Sequence, residues 1–167
     1  MSKFVSVLAV SLLAGTGVSA AAQPVVGSDA AACRAGAAGP AFLVDVRGLK
    51  NDDGKLRVQL YPANKDFLAK GKWLRRVDLP VTGTSMRVCI AAPRAGTYGI
   101  AVRHDADGNG KSGWNDGGGF SGNPSISLTD LRPTANEVAV SIGSGVRAVD
   151  VVMNYRRGLS IGPIARN

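Results

Sequence analysis

The chain has one histidine, two cysteines and few aromatic residues, 5% of its 167. With His104 alone, a zinc centre built from several histidines is excluded, and a Ser-His-Asp arrangement would have to use this one ring. Cys33 and Cys89 form no Cys-x-x-Cys motif, which removes the usual thiol redox signature. A nucleophile elbow, a phosphate-cradling glycine motif and a paired-carboxylate arrangement are also missing, so the expectation is a protein that is not an enzyme. Coiled-coil heptads and internal repeats are absent. No cationic run is long: the densest groups are Lys70, Lys72, Arg75 and Arg76 around Trp73, and the pair Arg156-Arg157.

Long apolar runs are scarce as well. The stretch Phe4 to Leu13 is about half the ~20 residues needed to cross a bilayer, and no later segment comes close. Lys3 before it and Val18-Ser19-Ala20 after it make residues 1–22 an expected export signal, cut after Ala20 or Ala22. The expectation is an exported protein, periplasmic or secreted, with no transmembrane segment in the mature chain. Its formal net charge is +8, and +7 once Lys3 leaves with the signal. In such a compartment that excess is either a solvated surface or a contact for an anionic envelope component, while the scattered cations and sparse aromatics argue against nucleic acid. Two cysteines in an oxidising compartment predict a Cys33–Cys89 disulfide, whose loop closure contributes about 4 kcal/mol in the chain-entropy model.

Residues 23–40 are rich in Ala and Gly and predict a loosely ordered lead-in fastened at Cys33. The domain is expected over 41–157, with an irregular tail at 158–167. Short apolar runs between turn signals predict an all-β fold, a single antiparallel β-sandwich of about seven or eight strands. The strands are expected near 41–49, 55–61, 73–80, 85–91, 97–104, 125–129, 137–142 and 147–155. Period-two alternation supplies the core: Leu56, Val58 and Leu60; Met86, Val88 and Ile90; Tyr98, Ile100 and Val102; Val138, Val140 and Ile142; and Val149, Val151 and Met153. Asn51-Asp52-Asp53-Gly54 predicts a hairpin turn with Gly54 at positive φ. Residues 64–71 read as one or two helical turns, capped by Asn64 and stopped by Gly71.

The stretch that carries chemistry follows the strand at 97–104. Counting Asp105 as the first position, Asp107 is third, Asn109 fifth, Gly110 sixth, Lys111 seventh through its carbonyl, and Asp116 twelfth. This is the oxygen-ligand spacing of a calcium loop, with Asp in place of the usual final Glu. Against it, Ser112 stands where such loops carry an apolar residue, Gly113 offers only a water at the ninth position, and strands rather than helices flank the loop. The alternative is a Gly-rich Asx-turn loop that needs no ion. His104 continues the inward face of its strand, as a strut, a ligand-binding group or a general acid/base. Trp114 and Phe120 are either a sugar-stacking platform or loop anchors. Ser121 and Asn123 complete the stretch from His104 to Asn123 as ligand-binding candidates.

Gly96-Thr97-Tyr98-Gly99, then His104-Asp105 running into Gly108-Asn109-Gly110-Lys111, then Gly119-Phe120-Ser121-Gly122-Asn123, resembles the secreted bacterial family DUF2141, a domain of unknown function. Its members show G-T-Y-A, H-D-x-N-G-N-G-K-L-D and G-F-S-N-N, and the likeness extends loosely from Ala41 to Tyr155. The resemblance implies an exported sandwich of transthyretin-like or immunoglobulin-like character, with no assigned activity. This chain departs from the pattern at Ser112-Gly113, where the family has Leu-Asp, and in the shortened Trp114–Gly118 stretch, where Asp116 is the candidate replacement ligand. The functional expectation is an exported, non-enzymatic module that binds calcium through 105–116 and an anionic or glycan-bearing envelope partner. The rivals are a structural accessory protein with an ion-free loop, and a hydrolase using His104 with Asp105 or Asp116 and with Ser121 or Arg103 binding substrate.

Overall fold

The computed structural model describes residues 22–164, so the expected export signal lies almost wholly outside the described residues. Among the described residues eleven strands form two sheets: β1 Val25–Val26, β2 Ala41–Arg47, β3 Lys55–Pro62, β4 Arg75–Pro80, β5 Ser85–Ala91, β6 Gly96–Asp105, β7 Gly117–Phe120, β8 Ala139–Ile142, β9 Val146–Val152, β10 Asn154–Arg157 and β11 Ser160–Gly162. The small sheet runs β1-β5-β2-β9, and the large one β11-β10-β7-β6-β3-β4 with β8 also on β6. This is the expected all-β sandwich. Most pairs are antiparallel, but β9 and β1 run parallel to their neighbours β2 and β5. Among the described residues no helix is long and apolar enough to cross a membrane.

Alternation builds the core as the side-chain period requires. Val44 lies opposite Val88 on one side and Val149 on the other, and Val58 lies between Val77 and Val102. These side chains, with Phe42, Leu56, Leu60 and Ile100, are buried between the sheets. The expected strand 147–155 is two strands. At Met153 the chain leaves the small sheet for the large one, its N–H held by the Arg47 carbonyl at 2.9 Å and its side chain fully buried. The inward alternation therefore survives a change of sheet.

Four local expectations are corrected. Residues 125–129 form no strand; bracketed by Pro124 and Pro133, the segment lies irregularly, and Ile126 and Leu128 line a groove. Residues 64–71 form turns only: Asn64 Oδ1 does accept the Asp66 N–H at 2.8 Å, but Leu68 has φ +60°, which ends helical geometry. The lead-in is built into the sheet, with β1 paired to β5, a short 3-10 turn at Ala30–Cys33, and the Asp29 carboxylate accepting the Ala91 N–H at 2.9 Å. The Cys33–Cys89 disulfide ties that turn to β5. The tail contributes β11, paired with β10.

Candidate functional site

The site grows from the end of β6, where Arg103, His104 and Asp105 pass into the acidic loop. Opposite Leu56 in the register, His104 points into the core and is 0% exposed. Its Nε2 lies 2.9 Å from the Asp53 carbonyl, an oxygen that can only accept, so this nitrogen carries the proton. Nδ1 then accepts the Tyr155 hydroxyl proton at 2.6 Å, and the hydroxyl oxygen accepts the Lys50 N–H at 3.0 Å. Both ring nitrogens are thus occupied by protein partners, leaving neither for a metal or a substrate proton. The ring works as a strut joining β6 and β10 to the turn before β3. Gly54 in that turn has φ +73°, and a Cβ there would collide with the Asp105 carbonyl, so the turn sits directly against the loop's first residue.

Asp105 is only 2% exposed. Its Oδ2 accepts the Gly110 N–H at 2.9 Å and faces Arg103 Nη2 at 3.1 Å, while its buried Oδ1 has no hydrogen-bond partner. Carboxylate oxygens of Asp105, Asp107 and Asp116 lie within 4.8 Å of one another. Three such groups repel unless a cation neutralises them, and Arg103 is the positive group bonded to the cluster. The loop's path is set by its own short side chains. Asp107 Oδ1 accepts the Asn109 N–H at 3.1 Å, Asn109 Oδ1 accepts the Lys111 N–H at 2.7 Å, and Asp116 accepts the N–H groups of Ala106 and Gly113 at 3.1 and 2.9 Å. Asn109 Nδ2 also donates to Asp107 Oδ2 at 2.5 Å. The acidic cluster is thus a preformed set of hard oxygen donors that can take a cation, with Lys111 exposed at its edge.

The stretch after the loop holds the scaffold. In β7, a Cβ on Gly117 would enter the Tyr155 ring and one on Gly119 would meet Val151 Cγ1 at 2.7 Å and the Val152 carbonyl at 2.8 Å. Only glycine lets this strand lie so close to its neighbours, which is why composition hides it. Ser121 is fully buried; its Oγ donates to the Val138 carbonyl at 2.5 Å and accepts the Ile100 N–H at 2.9 Å. Asn123, at φ +47°, uses both ends of its amide on β9, donating to the Asp150 carbonyl at 3.1 Å and accepting the Val152 N–H at 2.8 Å. Phe120 packs edge-on against Phe67 with ring centroids 6.1 Å apart. Ser121 and Asn123 are therefore used in joining the sandwich.

Trp114 stands apart at 70% exposure. One face of its indole is covered by the Arg156 guanidinium, 3.2 Å from the ring centroid. Together they border a groove of about 540 Å³ over the large sheet, whose walls include Arg103, Phe120, Ile126, Leu128 and Arg132. The sequence signals Trp114 and Phe120 but not the groove, because its walls come from the irregular 123–133 segment and from five separate strands. The signal available was faint: Ile126 and Leu128 alternate with polar residues yet are flanked by prolines. Burial pushes the Tyr155 phenol up to about 12, with the Lys50 N–H opposing and the Asp116 charge adding to the rise.

The profile of a bacterial family described as "Uncharacterized protein conserved in bacteria (DUF2141)" matches residues 44–150, which run from β2 through the acidic loop into β9. No curated protein and no solved structure matches the chain.

Proposed function

The chain belongs to the DUF2141 family, and we propose that it is an exported, non-enzymatic binding module whose acidic loop holds calcium. The observation that carries the reading is the Asp105 carboxylate, buried with one oxygen unpartnered beside Asp107 and Asp116. A buried charged oxygen without a partner is costly, and a hard divalent cation satisfies it while neutralising the cluster. Ligands drawn from Asp105, Asp107 and Asp116, with Asn109 and the Lys111 carbonyl in the same loop, suit an oxygen-preferring ion. The non-enzymatic half rests on His104 and Ser121, whose polar atoms are occupied inside the fold. Export is supported by the disulfide, which an oxidising compartment maintains. The positive charge and Trp114 favour an anionic or glycan-bearing envelope partner.

Thermal unfolding of the oxidised protein in chelator, then with ~5 mM calcium or magnesium, tests the reading. At ten times the dissociation constant, a native-state ligand adds roughly 1.4 kcal/mol, a rise of several degrees. The expected result is a calcium-specific rise that Asp107→Ala abolishes; the exposed Asp107 can be replaced without disturbing the core. An unchanged midpoint at millimolar calcium would reject the cation site and favour the ion-free loop.

A further inference from the structure

The groove beside the loop has a composition of its own. Its floor is the outer face of the large sheet at Ala101 and Phe120, and its walls are the aliphatic side chains of Leu68, Ile126, Leu128 and Ile161. Three guanidiniums line it against the single carboxylate of Asp116, whose oxygens are held by backbone N–H groups of the loop. Among the described residues Arg132 has no hydrogen bond or ion pair, and Arg156 is held by Trp114 and the Gly158 carbonyl without an acidic partner. Arg103 leaves its Nε without an acceptor. Apolar walls beside Arg132 and Arg156, two cations without an acidic partner, call for a ligand that is anionic at one end and apolar along its body.

We propose that this groove binds a small amphiphilic carboxylate, its head taken by the arginines and its hydrocarbon body lying along Leu128, Ile126 and Phe120. The volume of about 540 Å³ falls in the range of small-ligand sites. A glycan suits it less well: one Trp114 face is covered by Arg156, and the lining is more apolar than polar. The proposal deepens the binding-module reading by naming a ligand class.

Calorimetric titration of the oxidised protein in chelator with decanoate, decanol and glucuronate tests it. Decanoate is expected to bind saturably, with decanol and glucuronate each at least about tenfold weaker. Arg132→Gln, at an exposed position, is expected to weaken decanoate about tenfold with the unfolding midpoint unchanged, as loss of one charge-assisted contact does. Leu128→Asn is expected to weaken it similarly; should that variant misfold, Arg132→Gln decides. Absence of saturable decanoate binding, equal affinity for decanol, tighter binding of glucuronate, or no effect of Arg132→Gln overturns the proposal. Because chelator keeps the loop metal-free, these failures leave the calcium reading standing, and a missing calcium response leaves the groove standing.

Discussion

Tyr155 on β10 donates its hydroxyl proton to His104 on β6 at 2.6 Å while accepting the Lys50 N–H at 3.0 Å, so one phenol joins two strands to the turn before a third. Tyr155→Phe keeps the ring and removes both bonds, stranding a buried imidazole nitrogen and a backbone N–H. A loss of about 2 kcal/mol is expected, read as a denaturation midpoint several degrees lower. A variant as stable as the parent would show that water takes over both bonds.

The same phenol makes alkaline stability a direct test. Its pKa in the fold is pushed up to about 12 from an ordinary 10.0, chiefly by burial. Below pH 10 both folded and unfolded states keep the proton and its stabilising effect is whole; as pH rises through 10 toward 12, the unfolded state ionises first and that effect is lost. The span corresponds to roughly 2–3 kcal/mol. Tyr61, also pushed up mainly by burial, acts in the same direction. Denaturant titrations from pH 9 to 12 should show a steep decline that Tyr155→Phe makes shallower. Parallel pH profiles for the two proteins would contradict the assignment.

Arg103 is the positive group already bonded to Asp105, at 3.1 Å, and so competes with any metal for that carboxylate. Arg103→Leu is expected to lower metal-free stability by about 2 kcal/mol, because it leaves a buried carboxylate unpaired. Calcium should then stabilise the variant more than the parent, with affinity up about tenfold. Paired melting curves with and without calcium read both effects, and a calcium response equal to the parent's would show that Arg103 and the ion do not share the site.

Asn123 combines a left-handed backbone with two hydrogen bonds to β9. Asn123→Gly relieves the backbone but loses the bonds; Asn123→Ala loses both and should cost about 1 kcal/mol more. Hydrogen exchange at the Val152 amide is expected to accelerate in both variants. Retained protection in Asn123→Gly would mean that the side chain is not that amide's partner.

Much of the sandwich is legible in alternation, because Leu56-Val58-Leu60 and Met86-Val88-Ile90 each place one residue in two on a single buried face. The inward run ending at His104 and the pairing of Cys33 with Cys89 are legible for the same reason: each follows from a local pattern or from having one possible partner. β7 escapes notice because Gly117 and Gly119 are chosen for the space that Tyr155 and Val151 need, a requirement set by residues more than thirty positions away. The sheet change at Met153 is equally hidden, since inward-facing side chains keep their period while the backbone changes neighbours. At the candidate site, the Asp spacing points to the carboxylate cluster, but its orphaned oxygen and the competing Arg103 belong to three-dimensional packing. The groove draws its walls from segments far apart in the chain and has no linear pattern to read.

Asn123 also bears on how the protein behaves when crowded. β9 is the outermost strand of the small sheet, and a bare outer strand offers its amides and carbonyls to any extended chain that drifts alongside. The Asn123 amide occupies the Asp150 carbonyl and the Val152 N–H, withholding these two groups from a foreign strand. On the opposite border the two-residue β1, held nearby by the disulfide, pairs with β5 at Arg87 and Val88 and is itself the outer strand. The small sheet thereby presents a capped stretch at one border and a strand of only two residues at the other, both poor templates for edge-to-edge growth.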